Sequence, residues 1–139
     1  MPEARADTTG SVTVNVPDDR LYSPDHLWAL SEGDLVRVGI TPWIVRVRSR
    51  DTSCQMRLPP VGTVLRAAEI AGEIETAKLV VDLFAPCDGV VESLNPVALT
   101  DAHRCLEDPW NHWLWRMRSA STAMLWSAPR YAAALPPSP

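Results

Sequence analysis

The sequence predicts a mostly β protein, a small sandwich or flattened barrel of short strands that ends in a C-terminal helix. Apolar and polar residues alternate over short runs, and Gly, Pro and Asp interrupt these runs at close intervals. The length of 139 residues suits one domain with a modest core, and no repeat divides it. We expect residues 1–19 to form a flexible arm, residues 20–135 the folded domain and residues 136–139 a frayed tail.

The first half of the chain predicts a hairpin and further strands. "VTVNV" (12–16) gives only a weak indication of an edge strand. "HLWAL" (26–30) and "LVRVGI" (35–40) flank the turn-rich "SEGD", which predicts two antiparallel strands. "WIVRVRSR" (43–50) alternates as a strand does, and its arginines read as a solvated face, with an electropositive docking stripe as the alternative. "LPPVGTVL" (58–65) breaks the chain and starts another strand.

The second half predicts a second hairpin, more strands and the helix. "EIAGEIET" (69–76) and "LVVDLFAP" (79–86) are both strand-like, and "GVVESL" (89–94) follows the turn at "PCDG". "PVALTDAHRCLED" (96–108) is compatible with a short helix. "HWLWRM" (112–117) predicts a strand with Trp113, Trp115 and Met117 on one face. Residues 119–135 read as the C-terminal helix, capped by Ser119 or Ser121 and kinked or restarted at Pro129.

Composition argues against several functional classes. The net charge of −4 is unfavourable for a nucleic-acid-binding protein, and no apolar run is long enough to span a membrane. The polar N-terminus lacks the features of a secretory signal. Three cysteines without CxxC spacing indicate reduced thiols and a cytoplasmic location. His103 and Cys105 alone do not make a zinc site.

Lys78 is the only lysine of the chain, whereas arginine supplies the other twelve of its thirteen basic side chains. A lysine amine can be deprotonated and acylated, and a guanidinium cannot take its place in that chemistry. The two strand-like segments on either side put Lys78 at or beside a hairpin tip. Glu75 and Asp82 flank it with negative charge. From spacing alone, an ordinary exposed lysine beside an acidic turn explains the pattern equally well.

The stretch "ETAKLVVDLFAPCDG" resembles the lipoyl-lysine hairpin of the glycine cleavage system H protein family, with its Glu-Ser-Val-Lys-Ala-x-x-Asp-Leu-Tyr-x-Pro-x-x-Gly pattern. "LPPVGT" resembles the family's "LPEVGT", with Gly62 sixteen residues before the lysine. "LYSPDHLWAL", "LEDPWNHWLWRM" and "APRYAAAL" resemble further family segments in the same order. The resemblance covers residues 16 to 135 and implies a lipoyl/biotinyl-type β-sandwich with a hairpin-borne lysine.

The resemblance implies a non-catalytic carrier in which Lys78 is amide-linked to lipoate and shuttles an aminomethyl group between partner enzymes. Its partners would be glycine decarboxylase, aminomethyltransferase and dihydrolipoyl dehydrogenase, together with a lipoylating enzyme. Glu75 and Gly62 would help the lipoylating enzyme recognise the hairpin. Asp82 and His26 would line the neighbouring surface on which a loaded arm rests.

Some positions depart from the family pattern and keep alternatives open. Pro42 replaces an Asp, the segment after it is about two residues longer, and Leu27 replaces an acidic residue. Altered surface around an intact lysine would also suit an H-like carrier in cytoplasmic sulfur oxidation, working with a heterodisulfide-reductase-like complex. A non-lipoylated interaction module is a third interpretation. A biotin carrier is disfavoured because Ala77 and Leu79, not methionines, flank the lysine, and no catalytic motif supports a stand-alone enzyme.

The six tryptophans divide into two groups. Trp28 and Trp113 match family positions and are expected in the core. The others are additional, and we expect them to pack over the segment after residue 42 or under the C-terminal helix. If any were exposed, a partner-binding surface would be the better interpretation. These additional residues are Trp43, Trp110, Trp115 and Trp126.

Overall fold

The computed structural model describes residues 15–45, 53–118 and 120–136. Within these residues the chain forms nine strands and three short helices. The elements in chain order are β1 (Leu21–Tyr22), β2 (Leu27–Glu32), β3 (Leu35–Ile40), β4 (Cys54–Arg57), β5 (Val64–Leu65), β6 (Ile70–Thr76), β7 (Val80–Phe84), β8 (Gly89–Leu94), α1 (Pro96–Thr100), α2 (Ala102–Glu107), β9 (Trp113–Arg118) and α3 (Ala128–Ala134).

Two antiparallel sheets form the fold. The larger sheet has the order β1-β2-β3-β9-β8-β5, and the smaller has the order β4-β6-β7. Residues of both sheets meet in one buried cluster, among them Val38 and Met117 from the larger sheet and Ile74 and Leu83 from the smaller. The expected mostly β sandwich with a C-terminal helix is therefore confirmed, and burial of this shared apolar surface holds the two sheets together.

Both predicted hairpins are present. β2 and β3 pair from Leu27 opposite Ile40 to Glu32 opposite Leu35, and the turn between them has Gly33 at φ +65°. β6 and β7 pair up to Glu75 opposite Val80. Alternation and turn residues are local signals, which explains why the sequence predicts these elements correctly.

The predicted strand at residues 43–50 is wrong in its described part. Trp43 to Val45 form a turn and bend after β3, and the remainder lies outside the described residues. Pro42 occupies the second position of a β-turn closed by the bond from Ile44 N to Thr41 O (3.2 Å). Apolar and polar residues go on alternating after residue 42, which is why the sequence predicts a strand there. The fixed φ of Pro42 favours a turn over a continued strand at this point. The weak indication of a strand at 12–16 also fails where it can be judged, because Asn15 and Val16 are not in a strand.

The C-terminal helix is shorter than predicted. It begins at Ala128, and its N-cap is Ser127, not Ser119 or Ser121. The chain just before it is extended because Trp126 pairs with Tyr22 through two backbone hydrogen bonds of 2.7 and 2.8 Å. Pro129 lies in the first turn of α3, where the missing N–H costs nothing, so this proline marks the start of the helix and neither a kink nor a restart of a longer one.

The predicted common face of β9 is only partly correct. Trp115 and Met117 are fully buried in the main core. Trp113 is half-buried against a second cluster, because a bulge between Val38 and Gly39 shifts the register where β9 pairs with β3. The helix-compatible stretch 96–108 forms α1 and α2, with Asn95 capping α1 by accepting from Val97 N at 3.1 Å.

The second cluster is aromatic and lies where α3 contacts β1 and β2. Its buried members are Tyr22, Trp28, Ala128 and Tyr131, and half-buried aromatic residues surround it. Trp28 thus belongs to a core as expected. The half-buried aromatic residues are Trp43, Trp110, Trp113 and Trp126. Three of the four additional tryptophans therefore pack around α3, and the fourth, Trp115, is too buried to form a partner surface.

Candidate functional site

Lys78 is exposed in the middle of the three-residue loop, residues 77–79, that joins β6 to β7. The loop is closed by a hydrogen bond from Thr76 N to Leu79 O at 2.9 Å. Leu79 is half-buried, while Ala77 and Lys78 are exposed. The lysine therefore projects from the end of a paired, short-looped hairpin.

Thr76, which is not among the site residues predicted from the sequence, organises this loop. Its hydroxyl accepts from Lys78 N at 3.3 Å and from Leu79 N at 3.2 Å, and donates to Leu79 O at 3.3 Å. A threonine at the end of a strand, two residues before the tip, is the signature of a side-chain-closed turn, and this signal was present in the sequence. One hydroxyl thus fixes the backbone on which the Lys78 side chain stands.

Glu75 and Asp82 lie on the outward face of the three-stranded sheet that carries the hairpin. Ile74 lies between Glu73 and Glu75 along β6, and its side chain is fully buried. Because successive side chains of a strand point to opposite faces, Glu73 and Glu75 point outward. Cross-strand pairing puts Asp82 opposite Glu73 and Val80 opposite Glu75. The structure therefore brings two of the predicted site residues onto the same face, one on each strand of the lysine hairpin.

β4 is the neighbour of β6 on the side opposite to β7. Arg57 Nη2 contacts Glu73 Oε1 at 3.4 Å, and Gln55 is the cross-strand partner of Glu75. Within the described residues, no carboxylate forms an ion pair with Lys78. Glu75 is therefore an exposed carboxylate close to the tip, whereas Glu73 shares a partly exposed ion pair of small energetic weight.

Gly62 lies in a tight turn before β5, in the larger sheet. Its φ of +92° and the bond from Thr63 N to Pro60 O (3.1 Å) describe a type II turn. Gly62 N donates to Val91 O at 2.8 Å, so β8 holds the turn in place. A Cβ on Gly62 would meet nothing within 4 Å, which shows that backbone conformation, not crowding, demands the glycine.

His26 lies in the turn between β1 and β2, also in the larger sheet. Its Nδ1 is 2.7 Å from the hydroxyl of Tyr131 on α3, and that hydroxyl is 2.6 Å from Thr41 Oγ1. Burial raises the pKa of Tyr131 to about 12, so the phenol is protonated at neutral pH. His26 is thus tied to the C-terminal helix, while the structure puts it and Gly62 on a different sheet from Lys78.

The three cysteines have ordinary structural environments. Cys87 and Cys105 are buried, and burial raises the pKa of each thiol to about 11. Cys54 is half-buried, and its pKa is raised by burial too. A protonated, buried thiol is a poor nucleophile, so none of the three suits covalent catalysis.

The described residues contain neither a metal-binding cluster nor a membrane-spanning helix. No group of three or more His, Cys, Asp or Glu side chains there is arranged to hold a metal ion. None of the described helices is long and apolar enough to cross a membrane.

The hairpin fits a covalently attached acyl group. Acylation needs an amine that a modifying enzyme can reach and a backbone that presents it at a fixed position. The exposed Lys78 and the turn closed by Thr76 supply both. A lipoyl group joined to this exposed amine would displace no packed side chain.

Comparisons with known proteins agree on one family. The family model described as glycine cleavage H-protein matches residues 20–135. The chain is 38% identical over 121 residues to the glycine cleavage system H protein of Beutenbergia cavernae, covering 86% of this chain and 96% of that protein. It is 36% identical to that of Corynebacterium jeikeium, again covering 86% of this chain and 96% of the relative.

A solved structure agrees with these matches. The crystal structure of a glycine cleavage system H protein from Mycobacterium marinum has a TM-score of 0.72 and 36% identity, and the match covers 85% of this chain and 97% of that one. These matches do not favour the sulfur-oxidation alternative or the non-lipoylated module. Sequence motifs, hairpin geometry and relatives lead to one conclusion: the chain belongs to the glycine cleavage H-protein family, whose members are non-catalytic carriers with a covalently lipoylated lysine.

Proposed function

We propose that Lys78 is the lipoylated residue and that the chain serves glycine decarboxylase, aminomethyltransferase and dihydrolipoyl dehydrogenase in turn. The observation that carries this proposal is the position of Lys78, the only lysine, at the exposed end of the β6–β7 hairpin. The side chain is reachable, and its backbone amide is held by Thr76.

When bound, the lipoyl group supplies a disulfide that can be opened to two thiols and can carry a one-carbon amine on sulfur. The chain supplies the tether. Because Lys78 holds the arm on a folded domain, each partner that docks this domain meets the arm at high effective concentration. The sandwich keeps the hairpin paired, so the arm has one point of attachment and a defined reach.

Two pairs of residues take supporting roles in this proposal. Glu75 and Gly62 are read by the lipoylating enzyme, Glu75 as an exposed carboxylate near the tip and Gly62 as a bare turn backbone. Asp82 and His26 line the surface near which a loaded arm rests. Asp82 is favoured by its place on the outward face of β7, and His26 by a ring that α3 holds in position.

Intact mass tests the attachment site. The protein is incubated with a lipoate ligase, lipoate and ATP, and Lys78→Arg, which keeps the charge, is the control. We expect a mass gain of one lipoyl group that Lys78→Arg abolishes. A gain that persists in Lys78→Arg, or none with any lipoylating enzyme tested, would overturn the proposal.

A matched pair of variants tests how the hairpin presents the lysine. Thr76→Val removes the hydroxyl that accepts from two backbone amides, whereas Thr76→Ser keeps it. We expect Thr76→Val to lower the rate of lipoylation several-fold and to speed amide hydrogen exchange at Lys78 and Leu79. Equal rates for both variants would show that the closed turn is unimportant for modification.

A second pair tests the role of Glu75. Glu75→Gln and Glu73→Gln each remove one outward carboxylate from β6, two residues apart. We expect only Glu75→Gln to slow lipoylation, because Glu73 is already engaged by Arg57. The same loss for both would indicate a general effect of charge on the face.

Capture of the lipoylated protein tests the partners. Lipoylated wild type and unmodified Lys78→Arg are compared for binding to purified glycine decarboxylase, aminomethyltransferase and dihydrolipoyl dehydrogenase. We expect glycine decarboxylase to turn over with the lipoylated chain, aminomethyltransferase with the aminomethylated form that results, and dihydrolipoyl dehydrogenase with the dithiol form, and none of them with Lys78→Arg. If glycine decarboxylase ignored the lipoylated chain, the proposed set of partners would be wrong even though lipoylation stood.

A further inference from the structure

A chain of hydrogen bonds links the turn after β3 to the ring of His26 through Tyr131 on α3. The backbone N of Trp43 lies 3.3 Å from Thr41 Oγ1, which lies 2.6 Å from the hydroxyl oxygen of Tyr131. That oxygen in turn lies 2.7 Å from Nδ1 of His26. His26 and Tyr131 are 105 positions apart in the sequence, so only the fold brings them together.

Two groups decide which atom donates in each of these hydrogen bonds: the Trp43 N–H, which can only donate, and the buried Thr41 hydroxyl, whose proton needs an acceptor. The Trp43 N–H donates to Thr41 Oγ1 because an amide nitrogen does not accept. Thr41 is fully buried, and among the described residues the hydroxyl of Tyr131 is the acceptor available to its proton. Tyr131 then has its own single proton left, and donates it to Nδ1 of His26.

The reverse direction is unfavourable. If His26 donated from Nδ1 to Tyr131, and Tyr131 to Thr41, the buried Thr41 hydroxyl proton would be left without an acceptor. A buried donor without a partner is costly, so native structures rarely contain one. Burial also raises the pKa of Tyr131 to about 12, so its proton is retained throughout the neutral range.

The rest of the structure holds these groups in register. The backbone O of His26 accepts from Thr41 N at 3.0 Å, and its φ is +72°, which fixes the residue in a left-handed turn. The ring of Tyr131 stacks on that of Tyr22, with centroids 4.6 Å apart and planes at 4°. Neither partner of the His26 contact can therefore move independently of the sheet or the helix.

We propose that Tyr131 is a positioning residue that holds His26 in the tautomer with its proton on Nε2. In this tautomer Nδ1 accepts from Tyr131 on α3, and Nε2 carries the ring proton. His26 then acts toward its neighbours at Nε2, among which the proposed function counts the arm, as a hydrogen-bond donor and not as a base. This deepens the proposed function and depends on it only for the place of the arm, since the tautomer exists with or without lipoate.

Nuclear magnetic resonance reads the tautomer directly. Long-range proton–nitrogen correlation on the uniformly labelled, unmodified chain, at a pH where imidazoles are neutral, shows which ring nitrogen carries the proton. The chain has three histidines, so His103 and His112 serve as internal references. We expect His26 to be in the Nε2–H form, with its Nδ1 resonance shifted by an accepted hydrogen bond.

Matched variants separate positioning from general loosening. Tyr131→Phe removes the hydroxyl that contacts His26, and Tyr22→Phe removes the hydroxyl of the other ring in the same stack. We expect Tyr131→Phe to remove the hydrogen-bond shift at Nδ1 and to move the His26 tautomers toward the mixture of an unconstrained imidazole. Tyr22→Phe should leave both unchanged. Thr41→Val should also keep the Nε2–H form, because Tyr131 can still donate to His26.

Several results would overturn the proposal. They are an Nδ1–H tautomer in the wild type, an unchanged Nδ1 resonance in Tyr131→Phe, an equal change in Tyr22→Phe, or a switch to Nδ1–H in Thr41→Val. The wild-type spectrum alone decides the first of these, even if a variant fails to fold. Lipoylation of Lys78 is scored separately by mass, so failure of lipoylation and failure of the tautomer assignment are distinguishable.

Discussion

The indole of Trp28 covers the backbone of Gly39 on the neighbouring strand. The two residues are cross-strand partners, and a Cβ built on Gly39 would fall 2.2 Å from Cζ2 of the ring. The indole cannot move away easily, because its Nε1 donates to Pro109 O at 3.1 Å and the Arg20 guanidinium lies 4.5 Å above its ring. Gly39 is thus a packing requirement of the aromatic cluster.

Gly39→Ala should lower the free energy of unfolding by about 3 kcal/mol, because the new methyl group overlaps a ring fixed on both sides. Urea unfolding followed by tryptophan fluorescence measures the change. Gly33→Asn is the control: the position is open, and asparagine tolerates its φ of +65°, so the change should stay within about 1 kcal/mol. A tolerated Gly39→Ala would mean that the ring has room to shift.

Gly62→Ala should cost about 1 to 2 kcal/mol of folding free energy, since alanine is strained at φ +92° even though space is free. Gly62→Asn should cost less, because asparagine adopts positive φ more readily. Thermal unfolding of the two variants measures this difference. Lipoylation rates then separate two roles: an enzyme that reads the bare backbone would be slowed by both variants, whereas strain alone would slow only Gly62→Ala.

Stability should fall as the pH rises from about 9 to 11, because the buried thiols of Cys87 and Cys105 resist ionisation. Each folded pKa is raised to about 11 from an ordinary value of 9.0, so in this window the unfolded chain releases protons that the folded chain keeps. The stabilisation is complete below the unfolded pKa and is lost upward through the folded one. Each thiol contributes a slope of about 1.4 kcal/mol per pH unit within the window.

Urea midpoints measured between pH 7 and 11 check this loss of stability. Cys87→Ala should flatten the slope by about the share of one thiol. A flat profile above pH 9 in the wild type would show that the folded thiols ionise as readily as the unfolded ones.

The parts of the fold with local signals were predictable. The hairpins around Gly33 and Lys78 follow from alternation and turn residues. The extended stretch before α3 was not, because Trp126 is held by Tyr22, which is far away in the sequence. The residues before α3 are compatible with a helix, but backbone pairing with Tyr22 keeps them extended. The local sequence gives no information about such a long-range pairing.

The candidate site divides in the same way. Lys78, Glu75 and Asp82 share one hairpin, so their arrangement follows from register. Thr76 could have been found from the turn signature it carries. The contact between His26 and Tyr131 gives no signal in spacing, since it depends on the docking of α3 against the larger sheet.

Because Lys78 is the only lysine of the chain, acylation of a lysine side chain gives two states of the protein, modified and unmodified. The twelve arginines keep their charge at every physiological pH, so acylation of Lys78 changes the formal charge from −4 to −5 in a single step. Native electrophoresis should therefore resolve the protein into two bands, one lipoylated and one not. The same step removes a site of tryptic cleavage, so a protease as well as a partner enzyme can tell whether Lys78 carries its lipoyl group.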